Sequence, residues 1–209
     1  EMSASLVGSE MCIRDRLIYE VHDLWPLSPM ELGGYSKKHP FIRIMQKAED
    51  DCYRYADAVV SMLPKAEEHM REHGLTRDKF HYVPNGIVLS DWNNPKGIPE
   101  EHGLLLSKLR AEGKFIVGFA GAHGIANSLY AVIDAVSSLT EQNVVLVLVG
   151  GGQEKENLIK YAHKKGVTNV YFLLPINKLA IPNLLKEMDV LYIGCLLYTS
   201  DAADELDGV

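Results

Sequence analysis

From Phe115 to Ile193 the chain alternates short apolar runs with amphipathic stretches, and this alternation constrains its fold more than any other feature. The order is strand Phe115–Ala120, helix Ser128–Leu139, strand Val144–Val149, helix Glu154–Lys164 and strand Val170–Leu174. A short helix over Ile181–Lys186 and a strand over Val190–Ile193 complete it. Runs such as FIVGFA and VVLVLV are apolar at every position or nearly so, as strands covered on both faces must be. In the helix after the first run, Leu129, Val132, Ile133, Val136 and Leu139 fall on one face. Strands and helices alternating at this spacing imply a parallel sheet with helices on both sides.

The first half reads less regularly. Leu17–Val21 is a short strand ending in His22-Asp23-Leu24-Trp25-Pro26, and a loop rich in Pro and Gly runs on through Gly33-Gly34. Pro40–Tyr55 has Phe41, Ile44, Met45 and Ala48 at helical spacing. Ala58–Met62 is a strand, Pro64 opens a helix over Lys65–His73 stopped by Gly74, and Phe80–Val83 is a third strand. Residues 84–99 are polar and carry Pro84, Pro95, Pro99, Gly86 and Gly97, which makes them the expected domain boundary. A helix over Glu100–Ala111 follows, closing at Gly113. No internal repeat exists beyond the β/α alternation.

The two ends do not continue these patterns. Leu6–Arg16 (LVGSEMCIRDR) and Cys195–Glu205 (CLLYTSDAADE) resemble translated transposase adapters from sequencing libraries. Codons for Glu10–Arg16 can contain AGATGTGTATAAGAGACA, the reverse complement of TGTCTCTTATACACATCT, which Cys195–Ser200 can encode. Residues 1–16 and 195–209 are therefore expected to be adapter-derived. Residues 17–85 would be the C-terminal part of one domain, and 86–194 the N-terminal part of a second.

The ends also colour the composition. The formal charge is −7, but Glu1, Glu10, Asp15, Asp201, Asp204, Glu205 and Asp207 lie in them against only Arg14 and Arg16. The absence of a Lys/Arg block argues against nucleic acid as partner. No stretch of 18 apolar residues exists, which excludes a membrane-spanning helix. Three scattered cysteines form neither a disulfide framework nor a zinc motif.

Three segments could carry chemistry. Gly118-Phe119-Ala120-Gly121-Ala122-His123-Gly124 leaves a strand and enters a helix, where glycines allow close approach and the helix N-terminus favours an anion. The spacing is not that of a dinucleotide fingerprint, and a glycine turn here can also serve packing alone. Val149-Gly150-Gly151-Gly152-Gln153 ends the next strand, so both loops face one sheet edge, where open α/β folds bind ligands. His22 beside Asp23 can serve acid–base work, or can simply donate to a carbonyl. His123 could donate to a phosphate. The other six histidines are expected to hold no metal. Lys37, Lys38, Arg43 and Lys47 near Phe41 and Ile44 form either a solvated helix face or a basic amphipathic surface for anionic lipid.

The ordered motifs E-V-H-D-L-W-P, A-D-A-V-V-S, V-P-N-G-I, G-F-A-G-A-H-G, V-L-V-G-G-G and A-x-P-N-L-L-x3-D-V-L resemble family 4 of the glycosyltransferases. The likeness covers residues 17–194, and within the family the chain is similar to bacterial fucosaminyltransferase-like enzymes of polysaccharide biosynthesis. It implies an α/β fold of the GT-B type, with parts of two Rossmann-like domains and parallel sheets. It implies retaining transfer from a UDP- or GDP-linked sugar to a lipid-linked or cell-surface saccharide, without a cofactor or metal. The expected location is cytoplasmic, with peripheral contact at the inner face of the membrane as an option.

By the same resemblance, Gly121, His123 and Gly124 would lie against the donor diphosphate. Gly150 and Gly151 would line the nucleotide pocket, backbone around Leu174–Asn177 would approach the base, and His22 would stand close to the reacting sugar. Many members place an Arg and a Lys just after the first glycine loop, whereas Ile125–Ala131 has neither; Lys178 is the substitute expected here. The family's E-x7-E element should follow Gly194, where the adapter-like segment begins, so the chain as given is expected to be inactive or nearly so. A sugar-nucleotide epimerase of the same fold and a non-catalytic nucleotide-binding module are the alternatives.

Overall fold

The computed structural model describes residues 16–63 and 65–194, without the side chains of Leu32 and Thr140. Pro64 and nearly all of the two adapter-like ends lie outside the described residues. The chain divides into two compact units between Ile87 and Val88.

The first unit is built on a three-stranded sheet of β1 (Ile18–Val21), β2 (Ala58–Ser61) and β3 (Phe80–Tyr82), all parallel and in the order β1-β2-β3. The segment after β1, expected as loop, contains helix α1 (Leu27–Gly33). Pro29 falls within its first turn, where a missing N–H costs nothing. Gly34 ends it at φ 66°, its N–H donating to Met30 O. α2 (Pro40–Tyr55) has the expected limits, and His39 caps it by accepting the Phe41 N–H. Its buried residues, however, are Ile42, Glu49 and Tyr53, while Ile44 is 70% exposed and Phe41 also faces solvent. The helix is rotated from the face that apolar counting selected, and a carboxylate occupies the inner side. α3 (Ala66–Glu72) packs Ala66 and Met70 with Val21, Tyr53, Ala56, Val59 and Leu75 in a single core.

The second unit opens with a short helix α4 (Leu89–Asn93), within the segment expected as linker, and continues with α5 (Glu100–Ala111). Its sheet contains β4 (Phe115–Ala120), β5 (Val144–Val149), β6 (Val170–Leu173) and β7 (Val190–Leu191), parallel throughout in the order β6-β5-β4-β7. Helices α6 (Leu129–Ser137), α7 (Lys155–Lys164) and α8 (Ile181–Lys186) connect these strands. β5 shows why its sequence is apolar throughout. Val145, Val147 and Val149 join Leu106, Leu109 and Leu184 on one side. Leu146 and Leu148 join Leu129, Ile133 and Leu158 on the other. At about 25 cal/mol per Å² of apolar surface, each such buried side chain contributes roughly 1.5–3 kcal/mol.

Asp189 secures the edge strand. Its carboxylate accepts from the Ile116 N–H at 2.7 Å and from Arg110 Nη1 at 2.9 Å, while its own N–H donates to Ile116 O. These bonds hold its carboxyl below the usual range, the Ile116 N–H contributing most.

Candidate functional site

Parallel strands deliver their following loops to one edge of the sheet, and in the second unit three such loops interlock. The Gly121 N–H donates to Val149 O at 3.0 Å, and the His123 N–H to Gly151 O at 2.8 Å. Gly150 N donates to Leu173 O, and Gly151 would bring a Cβ to 3.4 Å from the Pro175 ring. Gly150 has φ +148°, and a Cβ there would lie 1.9 Å from Gly121 O. Gly152 has φ +149°, and its Cβ would meet His123 O at 2.6 Å. These glycines are required by backbone-to-backbone approach, so packing accounts for the second loop even before any ligand is considered. The structure thus brings Gly121, His123, Gly150 and Gly151 together.

Gly124 lies at the outer turn of the first loop, where Asn127 Nδ2 reaches back to Ala122 O at 2.7 Å. The following helix does not begin at once. A 3₁₀ turn over Ile125–Asn127 intervenes, and Ser128 adopts φ 51° before α6 starts at Leu129. α6 itself begins within one residue of the expected Ser128, which is its N-cap.

His123 differs most from its expected placement. Its imidazole is 0% exposed and sits between Phe119 and Phe172, with ring centroids 6.1 and 6.3 Å away. Neither ring nitrogen has a hydrogen-bond partner among the described residues. Burial, and then the neighbouring Lys155 charge, hold its pKa below the ordinary histidine value, so the ring is neutral at pH 7. In this conformation only the His123 backbone is available to a ligand outside the loop.

Lys155, which sequence reasoning passed over, is the cation at this site. Its Nζ donates to Gly150 O and to Leu173 O, each at 2.7 Å, joining the loops after β5 and β6. The signal was available: it is the first lysine after the Gly150–Gly152 run, at the start of a helix. Lys178 is exposed on the 3₁₀ turn Lys178–Ala180 that ends the third loop, a turn capped by Asn177.

His22 belongs to the first unit, just past β1 at the C-terminal edge of that sheet. Its ring lies 3.2 Å from Glu20 Oε1, and both side chains are about two-thirds exposed at 64% and 66%. A second overlooked signal lies in the same unit. His69 and His73 stand one helical turn apart, which places both rings on one side of α3.

Residues 106–197 match the family model described as glycosyl transferases group 1. No curated protein matches the chain. Among solved structures, Anabaena Alr3699/HepE in complex with UDP-glucose superimposes with TM-score 0.60 and 22% identity, over 87% of this chain and 47% of that one. WaaG, a glycosyltransferase involved in lipopolysaccharide biosynthesis, gives TM-score 0.63 and 19% identity over 83% and 49%. Sucrose-phosphate synthase from Thermosynechococcus elongatus gives 0.61 and 16% over 83% and 43%. The chain spans about half the length of the structures it matches. Its fold is the parallel-sheet α/β fold of GT-B glycosyltransferase structures.

Proposed function

We propose that the second unit binds the nucleotide-sugar donor of a glycosyltransferase. The observation that carries this reading is the convergence of three strand-end loops within the segment that matches the glycosyl transferases group 1 model. The solved complexes of Alr3699/HepE with UDP-glucose and with UDP support the donor class. The donor diphosphate lies against the backbone of Gly121–Gly124 and of Gly150–Gly151. Lys155 adds positive potential beneath it, and Lys178 adds more from the exposed turn. Fixed dipoles and cations of this kind stabilise the charge that develops on a departing diphosphate.

Transfer follows the retaining course of the family 4 enzymes that the motifs resemble, of the fucosaminyltransferase-like kind, and the same resemblance gives His22 its catalytic role. The acceptor is a lipid-linked or cell-surface saccharide. A peripheral membrane contact through α2 fits that acceptor: Phe41 and Ile44 are exposed, with Lys37, Lys38, Arg43 and Lys47 close to them in sequence. No described helix is long and apolar enough to cross a membrane.

Calorimetric titration of the chain with UDP, GDP and UDP-glucose tests the donor assignment. Saturable binding of one nucleotide, weakened at least tenfold by Lys155→Met, is the expected result. Absence of binding for all three ligands overturns the reading.

A further inference from the structure

The first unit holds a side-chain cluster that sugar transfer does not use. Gln46, Glu49 and Asp50 project from one stretch of α2 toward His69 on α3 and His73 at its C-cap. Glu49 is only 4% exposed; its Oε1 accepts from Tyr53 Oη at 2.8 Å and its Oε2 from Gln46 Nε2 at 2.9 Å. The same Gln46 nitrogen lies 2.8 Å from Asp50 Oδ1 and 2.8 Å from His73 Nδ1. His73 Nδ1 is itself 2.9 Å from Asp50 Oδ1.

Gln46 Nε2 holds the centre of the cluster, within 2.9 Å of Glu49, Asp50 and His73. An amide nitrogen has two hydrogens, and here three neighbours surround it. With its hydrogens on Glu49 and Asp50, and the His73 Nδ1–H also on Asp50, Gln46 Nε2 is left 2.8 Å from His73 Nδ1 with no hydrogen between the two nitrogens. If Nδ1 carries no proton, it faces the ionised Asp50 lone pair to lone pair. Rotating the amide to present its oxygen moves the conflict to Asp50, whose carboxylate then faces another acceptor. His69 adds a donor with nothing to bind: among the described residues its buried Nε2 has no hydrogen-bond partner, and it lies 4.0 Å from Glu49 Oε1.

We propose that this cluster binds a divalent transition-metal cation of the zinc class, ligated by Glu49, Asp50 and His73, with His69 as fourth donor. One ligand atom from each of Glu49, Asp50 and His73 falls in a group within 4.8 Å of one another. Zinc bonds to oxygen and nitrogen of about 2.0–2.2 Å require donors somewhat closer than that, within reach of small side-chain rotations. Two imidazoles and two carboxylates favour zinc over magnesium or calcium, which prefer oxygen donors alone. Gln46 then leaves the centre and hydrogen-bonds a ligating carboxylate from outside, as supporting residues of metal sites do. A pocket of about 520 Å³, lined by Gln46, Asp50, His69 and His73, provides the way in. The cation ties α2 to α3, and this role does not depend on the transferase reading. It replaces the expectation that these histidines hold no metal.

The test strips the 209-residue chain with a chelator, titrates it with zinc, and measures metal content and thermal stability. One zinc per chain is expected, with a higher melting temperature and no such shift with magnesium. Cobalt(II) in the same site should give the intense visible bands of four-coordinate nitrogen and oxygen ligation. His73→Gln and Asp50→Asn should each lower zinc affinity at least tenfold, whereas His81→Ala, an exposed residue on β3, should not. The cobalt spectrum of the unaltered chain decides the matter if either variant fails to fold. No zinc uptake, uptake undiminished in both variants, or a six-coordinate cobalt spectrum overturns the proposal. The readout is metal content, so its failure leaves the sugar-transfer reading standing.

Discussion

Gly150 and Gly121 meet backbone to backbone: a single methyl group on Gly150 would lie 1.9 Å from the Gly121 carbonyl oxygen. Gly150→Ala must therefore push the loops after β4 and β5 apart, and it also forces an alanine to φ +148°. The expected cost is about 2–4 kcal/mol in denaturant unfolding, together with loss of nucleotide binding. Gly86→Ala, with nothing within 4 Å of its Cβ, serves as the comparison and should change stability by no more than about 0.5 kcal/mol. Equal effects at the two positions would contradict the interlocked loops.

His123 supplies a pH dependence. Burial lowers its pKa in the folded chain, while the unfolded chain takes up a proton near the ordinary value of about 6.5. The unfolded state thus binds more protons as pH falls, so stability rises with pH. The contribution is complete above about pH 6.5 and is lost progressively below it. His123→Leu should flatten this part of the profile and raise stability at pH 7 by about 1 kcal/mol, because two unpartnered nitrogens disappear. Unfolding free energies of both proteins from pH 4 to 8 measure this; parallel curves would count against it.

The Lys155 staple predicts two linked losses. Lys155→Met removes the lysine donor from Gly150 O and leaves Leu173 O with only the Gly150 N–H, and should cost about 1–3 kcal/mol. The same variant should weaken nucleotide binding more at low salt than at high salt, since a charge has been removed. Calorimetry at two ionic strengths separates this electrostatic effect from a merely loosened loop, which would respond equally at both.

Asp189 has the opposite pH sign to His123. Its carboxyl is held below the usual range, so its contribution is present above the unfolded carboxylate pKa and lost as pH falls through the folded one. Asp189→Asn should cost about 1–2 kcal/mol near neutrality, and the difference from the unaltered chain should shrink in acid. A difference that stays constant below about pH 4 would show that the charge is not what holds β7 to β4.

The second unit was far more legible in the sequence than the first, for a physical reason. β5 is buried on both faces, so its six residues had to be apolar, and the helices beside it had to carry one continuous stripe. α2 obeys a weaker rule. Its inner face includes Glu49, made acceptable by Tyr53 and Gln46, and this polar lining is invisible to a count of apolar positions. α1 was missed because Pro29 and Gly33 read as loop signals, although a proline costs little in a first turn. At the glycine loops the sequence indicated which backbone segments meet. It could not indicate that the His123 ring turns inward, since that depends on space between Phe119 and Phe172.

The parallel ladders have a kinetic consequence. Among the described residues no two paired strands are joined by a tight turn; Ser61 reaches Val21 across 40 residues of chain, for example. Each sheet must therefore close a long loop before its first cross-strand bond can form, and the loss of chain freedom precedes any gain. Helices such as α5 and α7 can form and dissolve before either sheet exists. Amide protection in the strands should consequently lag behind helical signal during refolding, with β1 and β2 protected together rather than in succession.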